Sequence, residues 1–189
     1  MVLGFHGCDR AVGEAVLADG GKHLKKSEND YDWLGAGIYF WENDPQRALE
    51  FAQHVSQNPR TSKGKIEHPF VVGAVIDLGM CCNLLDRMAL QEIAASYDVL
   101  EAAAQATELV LPVNSKDRLR RKRDCLVIEN MHKMRLNQSA ASYDTVRGAI
   151  WEGGPLFAGA AIEEQNHVQI AVRNTSCIKG YFRPMQVVS

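Results

Sequence analysis

The sequence lacks the features that define several large protein classes. No apolar run approaches the roughly 20 residues that a membrane-spanning helix needs, and the first residues lack the basic leader and apolar stretch of a secretory signal. No repeat, low-complexity tract or linker rich in glycine and serine interrupts the 189 residues. These absences predict one cytoplasmic domain, residues 1–189, with no membrane partner.

The spacing of the cysteines and histidines and the low net charge exclude further classes of site. The five cysteines are odd in number, include an adjacent pair and show no Cys-x-x-Cys spacing, which predicts free thiols and no structural zinc. The six histidines show no metal-ligand spacing, so we expect no metal site. The formal net charge of −2 gives no overall attraction to nucleic acid, so a polyanion contact would need a local basic patch.

The pattern of apolar residues predicts strands mixed with helices. No strict alternation of the two occurs, which favours an α+β fold over a doubly wound sheet. No Gly-x-Gly-x-x-Gly follows a strand, which argues against a Rossmann dinucleotide site. The predicted strands cover residues 2–5, 33–41, 70–78, 125–130 and 167–173. One predicted helix covers residues 11–17, a second follows a cap at Asn43 or Asp44 and ends before Asn58, and residues 88–109 form one or two helices. Loops are predicted over residues 61–68 and 148–159.

Two of these elements have a predicted orientation. In residues 88–109, helical spacing places an apolar face inward, made of Leu90, Ile93, Ala94 and Tyr97. In residues 167–173, apolar residues alternate with polar ones, which places Gln169 on the opposite face from its apolar neighbours.

Three separated segments carry a combination that periodicity alone does not explain. They are Gly4-Phe5-His6-Gly7-Cys8, Gly35-Ala36-Gly37-Ile38-Tyr39-Phe40-Trp41-Glu42 and His167-Val168-Gln169-Ile170-Ala171-Val172. In this order they resemble the three motifs of the His-Tyr-Glu branch of the ADP-ribosyltransferases, which includes the poly(ADP-ribose) polymerase catalytic domains. Residues 72–79 resemble the central strand of those domains, whereas residues 83–147 have no counterpart.

The resemblance implies both a fold and an activity. The fold would be split antiparallel β-sheets that form a central NAD-binding cleft, flanked by helices. The enzyme would cleave NAD⁺ at the nicotinamide–ribose bond and transfer ADP-ribose to a macromolecular acceptor, a protein or a nucleic acid. NAD⁺ would be the co-substrate, without a metal. Small size adds an analogy to bacterial toxins and defence enzymes, with an antitoxin as a further partner.

The resemblance also assigns roles to residues. His6 and the backbone of Gly7 would hold the adenosine ribose and the nicotinamide amide, because imidazole can donate to a hydroxyl and glycine lets the backbone approach the ligand. Tyr39 would stack on the nicotinamide, with Tyr31 on the second face. The predicted catalytic residues are His6, Tyr39 and Gln169, and the predicted NAD⁺ contacts are His6, Gly7, Cys8, Tyr31, Gly37, Tyr39 and Arg147.

Two motif positions depart from the family pattern. Gln169 stands where the family usually has glutamate, and a neutral amide cannot give the full stabilisation that a carboxylate gives to a positive transition state. The departure implies a single transfer rather than chain elongation, and it leaves two alternatives: an NAD⁺ glycohydrolase or a non-catalytic binding module that kept the fold. Cys8 lacks the hydroxyl of Thr or Ser. The carboxylates that could replace Gln169 are Glu42, Glu152, Glu163 and Glu164.

Other charged and aromatic residues have two interpretations each. The basic run from Lys116 to Arg123 is either a solvated surface or a phosphate-contacting patch for a nucleic-acid acceptor, and the solvated surface is favoured. Arg147 is either half of a structural ion pair or a contact to the NAD⁺ pyrophosphate. For Trp33 and Trp41, the default is an anchor in the core.

Overall fold

The computed structural model describes residues 1–58, 65–117 and 119–185. Within them lie seven strands and four α-helices, which confirms the α+β class. The strands are β1 (Val2–Asp9), β2 (Ile38–Glu42), β3 (Pro69–Ile76), β4 (Cys81–Asn83), β5 (Thr145–Ile150), β6 (His167–Val172) and β7 (Ile178–Phe182). The helices are α1 (Arg10–Ala18), α2 (Pro45–Gln57), α3 (Arg87–Ala106) and α4 (Lys122–Asn137), and a 3-10 turn covers Thr175–Cys177.

All seven strands belong to one mixed sheet in the order β4-β5-β6-β2-β1-β3-β7. The β4–β5 pair is parallel and the other pairs are antiparallel. The ladder between β1 and β2 is the shortest in the sheet, because these strands pair only through Gly4↔Glu42 and Phe5↔Trp41, whereas β1 pairs with β3 along its whole length. Beyond Phe5, strands β1 and β2 therefore no longer share a ladder.

Side-chain caps fix where three of the helices begin. Asp9, Asp44 and Asp86 precede α1, α2 and α3, and each carboxylate accepts a backbone N–H of the first turn. Such a cap stabilises a helix by about 1 kcal/mol. The predicted cap at Asp44 is confirmed, and Pro45 occupies the first helical position, where its missing N–H costs nothing.

The sheet separates two layers of core. Residues paired across neighbouring strands point to the same face, so the register assigns each side chain to a layer. The face covered by α1, which we call the α1 face, carries mainly aliphatic side chains and Phe40. The face covered by α2, α3 and α4, the three-helix face, carries Phe5 and Trp41 under α2, with Val146 and Ala171 under α4. Burying each large apolar side chain contributes about 1.5–3 kcal/mol.

Several predicted elements were wrong in type or extent. Residues 125–130 lie inside α4, where Cys125, Ile128 and Met131 are buried at helical spacing. Residues 33–37 form turns, so the second strand begins only at Ile38. The strand β5 extends to Ile150, into the predicted loop 148–159.

The inward face of α3 also differs from the prediction. Its buried residues are Ala89, Ser96 and Ala104, whereas Leu90 is half exposed. Small side chains let α3 lie close to α4, and the Ser96 hydroxyl donates to the carbonyl oxygen of Val127 at 2.9 Å. In the predicted loop 61–68, residues 61–64 lie outside the described residues. Among the helices described, none is long and apolar enough to cross a membrane.

Candidate functional site

The strands that carry His6, Tyr39 and Gln169 are neighbours in the sheet. They are β1, β2 and β6, in the spatial order β6-β2-β1. Residues up to 163 positions apart in the sequence therefore lie on neighbouring strands near the centre of the sheet, where the β1–β2 ladder ends. The three side chains do not share a face, however, because the register places His6 on the α1 face and the other two on the three-helix face.

The His6 ring lies against the backbone of β2. Its Nδ1 is 2.7 Å from the carbonyl oxygen of Tyr39, so Nδ1–H donates and Nε2 is left as an acceptor. The ring packs edge-on against Phe40, with 5.8 Å between ring centroids. Burial lowers the pKa of His6 below its usual value, and the hydrogen bond to the carbonyl only partly offsets this shift. His6 is therefore neutral at pH 7.

The Tyr39 hydroxyl is bonded inside the protein. It accepts the backbone N–H of Leu34 and donates to the carbonyl oxygen of Gly35, both at 2.8 Å. Burial, reinforced by the charge of Asp32, raises the pKa of Tyr39 well above its usual value. The side chain thus holds the turn before β2, and only the half-buried ring is open to contact a ligand.

The Gln169 side chain is largely buried and has no partner among the described residues. It pairs across the sheet with Trp41 on β2 and with Gly148 on β5, and it is 9% exposed. Its amide makes no hydrogen bond to any described residue, and its atoms are not among the fully buried side-chain atoms that lack a partner, so the amide is open to solvent. An amide that is open to solvent and has no protein partner can bind a polar group of a ligand.

A cluster of side chains lies beside Gln169, and we call it the Arg47–His167 cluster. Its members are Trp41, Arg47, Glu152, Gln165 and His167. Arg47 is in the first turn of α2 and its guanidinium carbon lies 6.0 Å from the Trp41 ring centroid. Arg47 Nη2 donates to Glu152 Oε2 at 2.7 Å and to Gln165 Oε1 at 3.3 Å. The ion pair joins α2 to the segment between β5 and β6.

His167 completes the Arg47–His167 cluster. Its Nδ1 lies 2.6 Å from the backbone oxygen of Gln165, and its ring centroid is 6.2 Å from that of Trp41. Burial lowers the pKa of His167; the carbonyl oxygen of Gln165 opposes this shift and the charge of Arg47 adds to it. The ring is therefore neutral at pH 7, with its proton on Nδ1 and a lone pair on Nε2.

Three buried atoms of this cluster lack a hydrogen-bond partner among the described residues. They are Trp41 Nε1, Arg47 Nε and His167 Nε2. Leaving a buried donor or acceptor unpaired costs about 1–3 kcal/mol, so proteins rarely keep one without a reason. Together with the Gln169 amide, the cluster presents donors and acceptors to a polar ligand.

Three other predicted NAD⁺ contacts, Gly7, Gly37 and Cys8, pack against neighbouring elements of the protein. A Cβ on Gly7 would lie 2.1 Å from the backbone oxygen of Ala48, so glycine is what allows α2 to cross β1 there. Gly37 is bridged to Ser27 and packs closely against β6. Cys8 is buried in the α1-face core, and burial raises the pKa of its thiol to about 12. The sequence predicted ligand contacts at all three positions.

Arg147 forms an ion pair, the structural one of its two predicted roles. It donates through Nε and Nη2 to both carboxylate oxygens of Glu42, at 2.6 and 3.0 Å, and through Nη1 to Asn83. Tyr31 contacts Arg120, with 5.6 Å between the guanidinium carbon and the ring centroid. Arg147 lies on the opposite face of the sheet from Gln169, because it pairs across β5 and β6 with Ile170.

The basic run from Lys116 to Arg123 packs against the loop before β2. The guanidinium of Arg121 lies 4.2 Å from the Trp33 ring centroid, and Lys122 pairs with Asp30 at 2.8 Å. Arg118 lies outside the described residues. The contacts agree with a structural use of this run, and nothing among them requires a phosphate ligand.

Neither Arg47 nor His167 is among the catalytic or NAD⁺-binding residues predicted from the sequence. The available signal was the spacing of His167 and Gln169, since residues two apart in a strand share a face. Arg47 was not recognisable, because its approach to β6 depends on the angle at which α2 crosses the sheet. Within the described ranges, no group of three His, Cys, Asp or Glu side chains could hold a metal ion.

No family model, curated protein or solved structure matches the chain.

Proposed function

We propose that this protein is an NAD⁺-dependent mono-ADP-ribosyltransferase. It cleaves the nicotinamide–ribose bond and transfers ADP-ribose to a protein or a nucleic acid. The observation that carries the proposal is the amide of Gln169, which has no hydrogen-bond partner among the described residues and lies on a strand two places from the one that bears His6. The three motif strands, distant in the sequence, are adjacent in the sheet, as the proposed catalytic set requires.

The NAD⁺ cleft is proposed at the junction of β1 and β2. Their ladder stops at Phe5↔Trp41, so an ADP-ribosyltransferase-like division of the sheet would fall there. Because His6 lies on the α1 face and Gln169 on the three-helix face, the dinucleotide would have to contact both where the β1–β2 ladder has ended, beyond Phe5. His6 would bind the adenosine ribose, and the Tyr39 ring would contact the nicotinamide.

Gln169 orients the ribose at the reacting carbon. As the nicotinamide–ribose bond breaks, positive charge develops on the sugar, and only interactions that strengthen with this charge accelerate the reaction. The amide oxygen of Gln169 accepts a ribose hydroxyl and presents a dipole rather than a full charge. This is the basis for a single transfer. A cytoplasmic toxin or defence role, with an antitoxin partner, is part of the same proposal.

Labelled NAD⁺ tests the function. The purified protein is incubated with NAD⁺ labelled in the adenylate half and, in separate tubes, with cell protein, RNA and DNA. We expect nicotinamide release and label on one class of macromolecule. Release of nicotinamide without a labelled macromolecule would identify an NAD⁺ glycohydrolase. A folded protein that shows neither NAD⁺ binding by calorimetry nor nicotinamide release would be a non-catalytic binding module, which overturns the proposal.

A further inference from the structure

The unpaired atoms of the Arg47–His167 cluster define the chemistry of a ligand. Trp41 Nε1–H and Arg47 Nε–H are donors, and neither has a partner among the described residues. His167 Nε2 is an acceptor, because Nδ1 carries the proton that is donated to the backbone oxygen of Gln165. The three side chains are 5% exposed for Trp41, 8% for His167 and 12% for Arg47.

A hydroxyl group matches this set. Its oxygen accepts from an indole or guanidinium N–H, and its hydrogen is donated to an imidazole nitrogen. An anion would match the two donors but would leave His167 Nε2 unpaired. A cation would be repelled by Arg47, which is already paired with Glu152 at 2.7 Å.

We propose that this cluster binds the attacking hydroxyl of the transfer reaction and that His167 is the base that takes its proton. The inference rests on the proposed function and adds a catalytic residue to it. His167 and Gln169 are two residues apart on β6 and share a face, so the hydroxyl at His167 lies next to the ribose that Gln169 orients.

The proton and electron balance of the step is simple. The O–H bond of the nucleophile breaks and its proton moves to His167 Nε2. The oxygen forms a bond to the ribose C1′, while the C1′–N bond breaks and its electron pair returns to the pyridinium ring, which leaves as neutral nicotinamide. His167 then releases the proton to solvent. The hydroxyl comes from an alcohol acceptor or from water.

The surroundings of His167 suit a base that is neutral at pH 7. Its Nδ1 is fixed by the Gln165 carbonyl oxygen, as a third group orients the base in other nucleophilic sites. The charged groups that face it are Arg47 and Asp44 from α2 and Glu152 from the segment after β5. Arg47 opposes protonation, and the two carboxylates favour it.

The experiment uses methanol as the alcohol. Parent, His167→Gln and His132→Gln are compared for the rate of NAD⁺ consumption and for the products methyl ADP-riboside and ADP-ribose. His132 is the matched control, because its Nδ1 bonds to Ser142, its Nε2 is buried without a partner and it lies on α4. We expect a loss of about 100-fold or more for His167→Gln, the usual scale for removing a general base. His132→Gln should keep the parent rate.

The pH profile gives a readout that packing alone does not change. The parent rate should fall as His167 becomes protonated, on an acidic limb below pH 6.5, and this limb should be missing in His167→Gln. Methyl ADP-riboside in the parent would identify an alcohol as the nucleophile, and ADP-ribose alone would identify water; either supports the site if His167→Gln slows it. A His167→Gln variant with the parent rate and pH profile overturns the inference but leaves the proposed function. A parent that consumes no NAD⁺ overturns both.

A second measurement does not depend on the folding of a variant. Nitrogen NMR of the parent labelled in histidine should show His167 protonated on Nδ1 and unprotonated on Nε2 at pH 7. ADP-ribose carries the anomeric hydroxyl that hydrolysis would place at this site, so it should shift the His167 Nε2 resonance and leave that of His132 unchanged. A proton on Nε2 in the free protein, or no response to ADP-ribose, would contradict the role as base.

Discussion

His6 Nδ1 lies 2.7 Å from the carbonyl oxygen of Tyr39, at the point where the β1–β2 ladder has ended. A side chain thus joins the backbones of two strands that do not pair there. The contact fixes the imidazole as an Nδ1–H donor and leaves Nε2 as an acceptor, which in the proposed function would bind a ribose hydroxyl. It also makes the position of His6 dependent on the backbone of β2 rather than on the Tyr39 ring.

Replacement of His6 by alanine should weaken NAD⁺ binding strongly. The change removes both the ligand contact and the bond to the Tyr39 carbonyl, so we expect at least a tenfold weaker Kd by calorimetry, equivalent to about 1.4 kcal/mol. His23→Ala is the control, because that histidine is exposed and bonds only to Tyr181. An unchanged Kd for His6→Ala would remove His6 from the binding site.

Replacement of Gln169 by alanine should separate binding from turnover. Because its contact strengthens in the transition state, we expect a Kd for NAD⁺ within about threefold of the parent and a kcat reduced about 100-fold. Steady-state nicotinamide release, with Kd measured separately, checks this. Equal turnover in parent and variant would show that Gln169 has no catalytic role.

Strands β1, β2, β3 and β6 and the helix after Asp44 could be predicted because local signals determine them, whereas β4, β5 and β7 were not predicted. Residues 70–78 are almost all apolar and include four β-branched residues, and the observed strand β3 differs by one residue at its start and two at its end. The alternation in residues 167–173 assigned Gln169 to the correct face of β6. By contrast, residues 125–130 are apolar enough for a strand, and only the packing of α4 against α3 and the sheet makes them helical.

The site was less predictable than the fold. His6, Tyr39 and Gln169 lie on neighbouring strands. The sequence contains no signal for the register between β1 and β2, and that register places His6 on the opposite face from the other two. The reason for a glycine near a motif is equally hard to predict from the sequence. A glycine near a motif suggests a ligand approaching the backbone, yet Gly7 is small because α2 crosses above it. Sequence position does not distinguish a helix from a ligand as the approaching group.

Gly7→Ala should therefore destabilise the protein rather than only weaken NAD⁺ binding. Its Cβ would meet the Ala48 backbone oxygen at 2.1 Å, and α2 would have to move away from β1. We expect a loss of about 3 kcal/mol in the free energy of unfolding, measured with urea. Gly180→Ala is the matched control in a strand, because its Cβ has no heavy atom within 4 Å. Equal stability of the two variants would show that α2 does not limit residue 7.

Arg147→Met should destabilise the protein and leave the Kd for NAD⁺ unchanged. The change leaves the Glu42 carboxylate without its cationic partner, although its side chain is only 11% exposed. Breaking a buried ion pair costs about 3 kcal/mol. Glu42→Gln in the same chain removes the unpaired charge, so the double variant should recover most of the loss in urea unfolding. A large fall in NAD⁺ affinity of the folded single variant would instead support the pyrophosphate contact.

The stability of the protein should fall between pH 6.5 and about pH 4 partly because of His132. Burial, with the charge of Arg173, lowers the pKa of His132 to about 4 in the folded state, against an ordinary value of 6.5. Between these values the unfolded chain binds the proton and the folded chain does not, so stability is full above pH 6.5 and is lost as pH falls towards 4. This difference in the pKa of His132 between the folded and unfolded chain corresponds to about 3 kcal/mol in the free energy of unfolding. Urea unfolding of the parent and His132→Gln at pH 7 and pH 4.5 checks this: the parent should lose more stability than the variant, and equal losses would show that His132 is not buried in its neutral form.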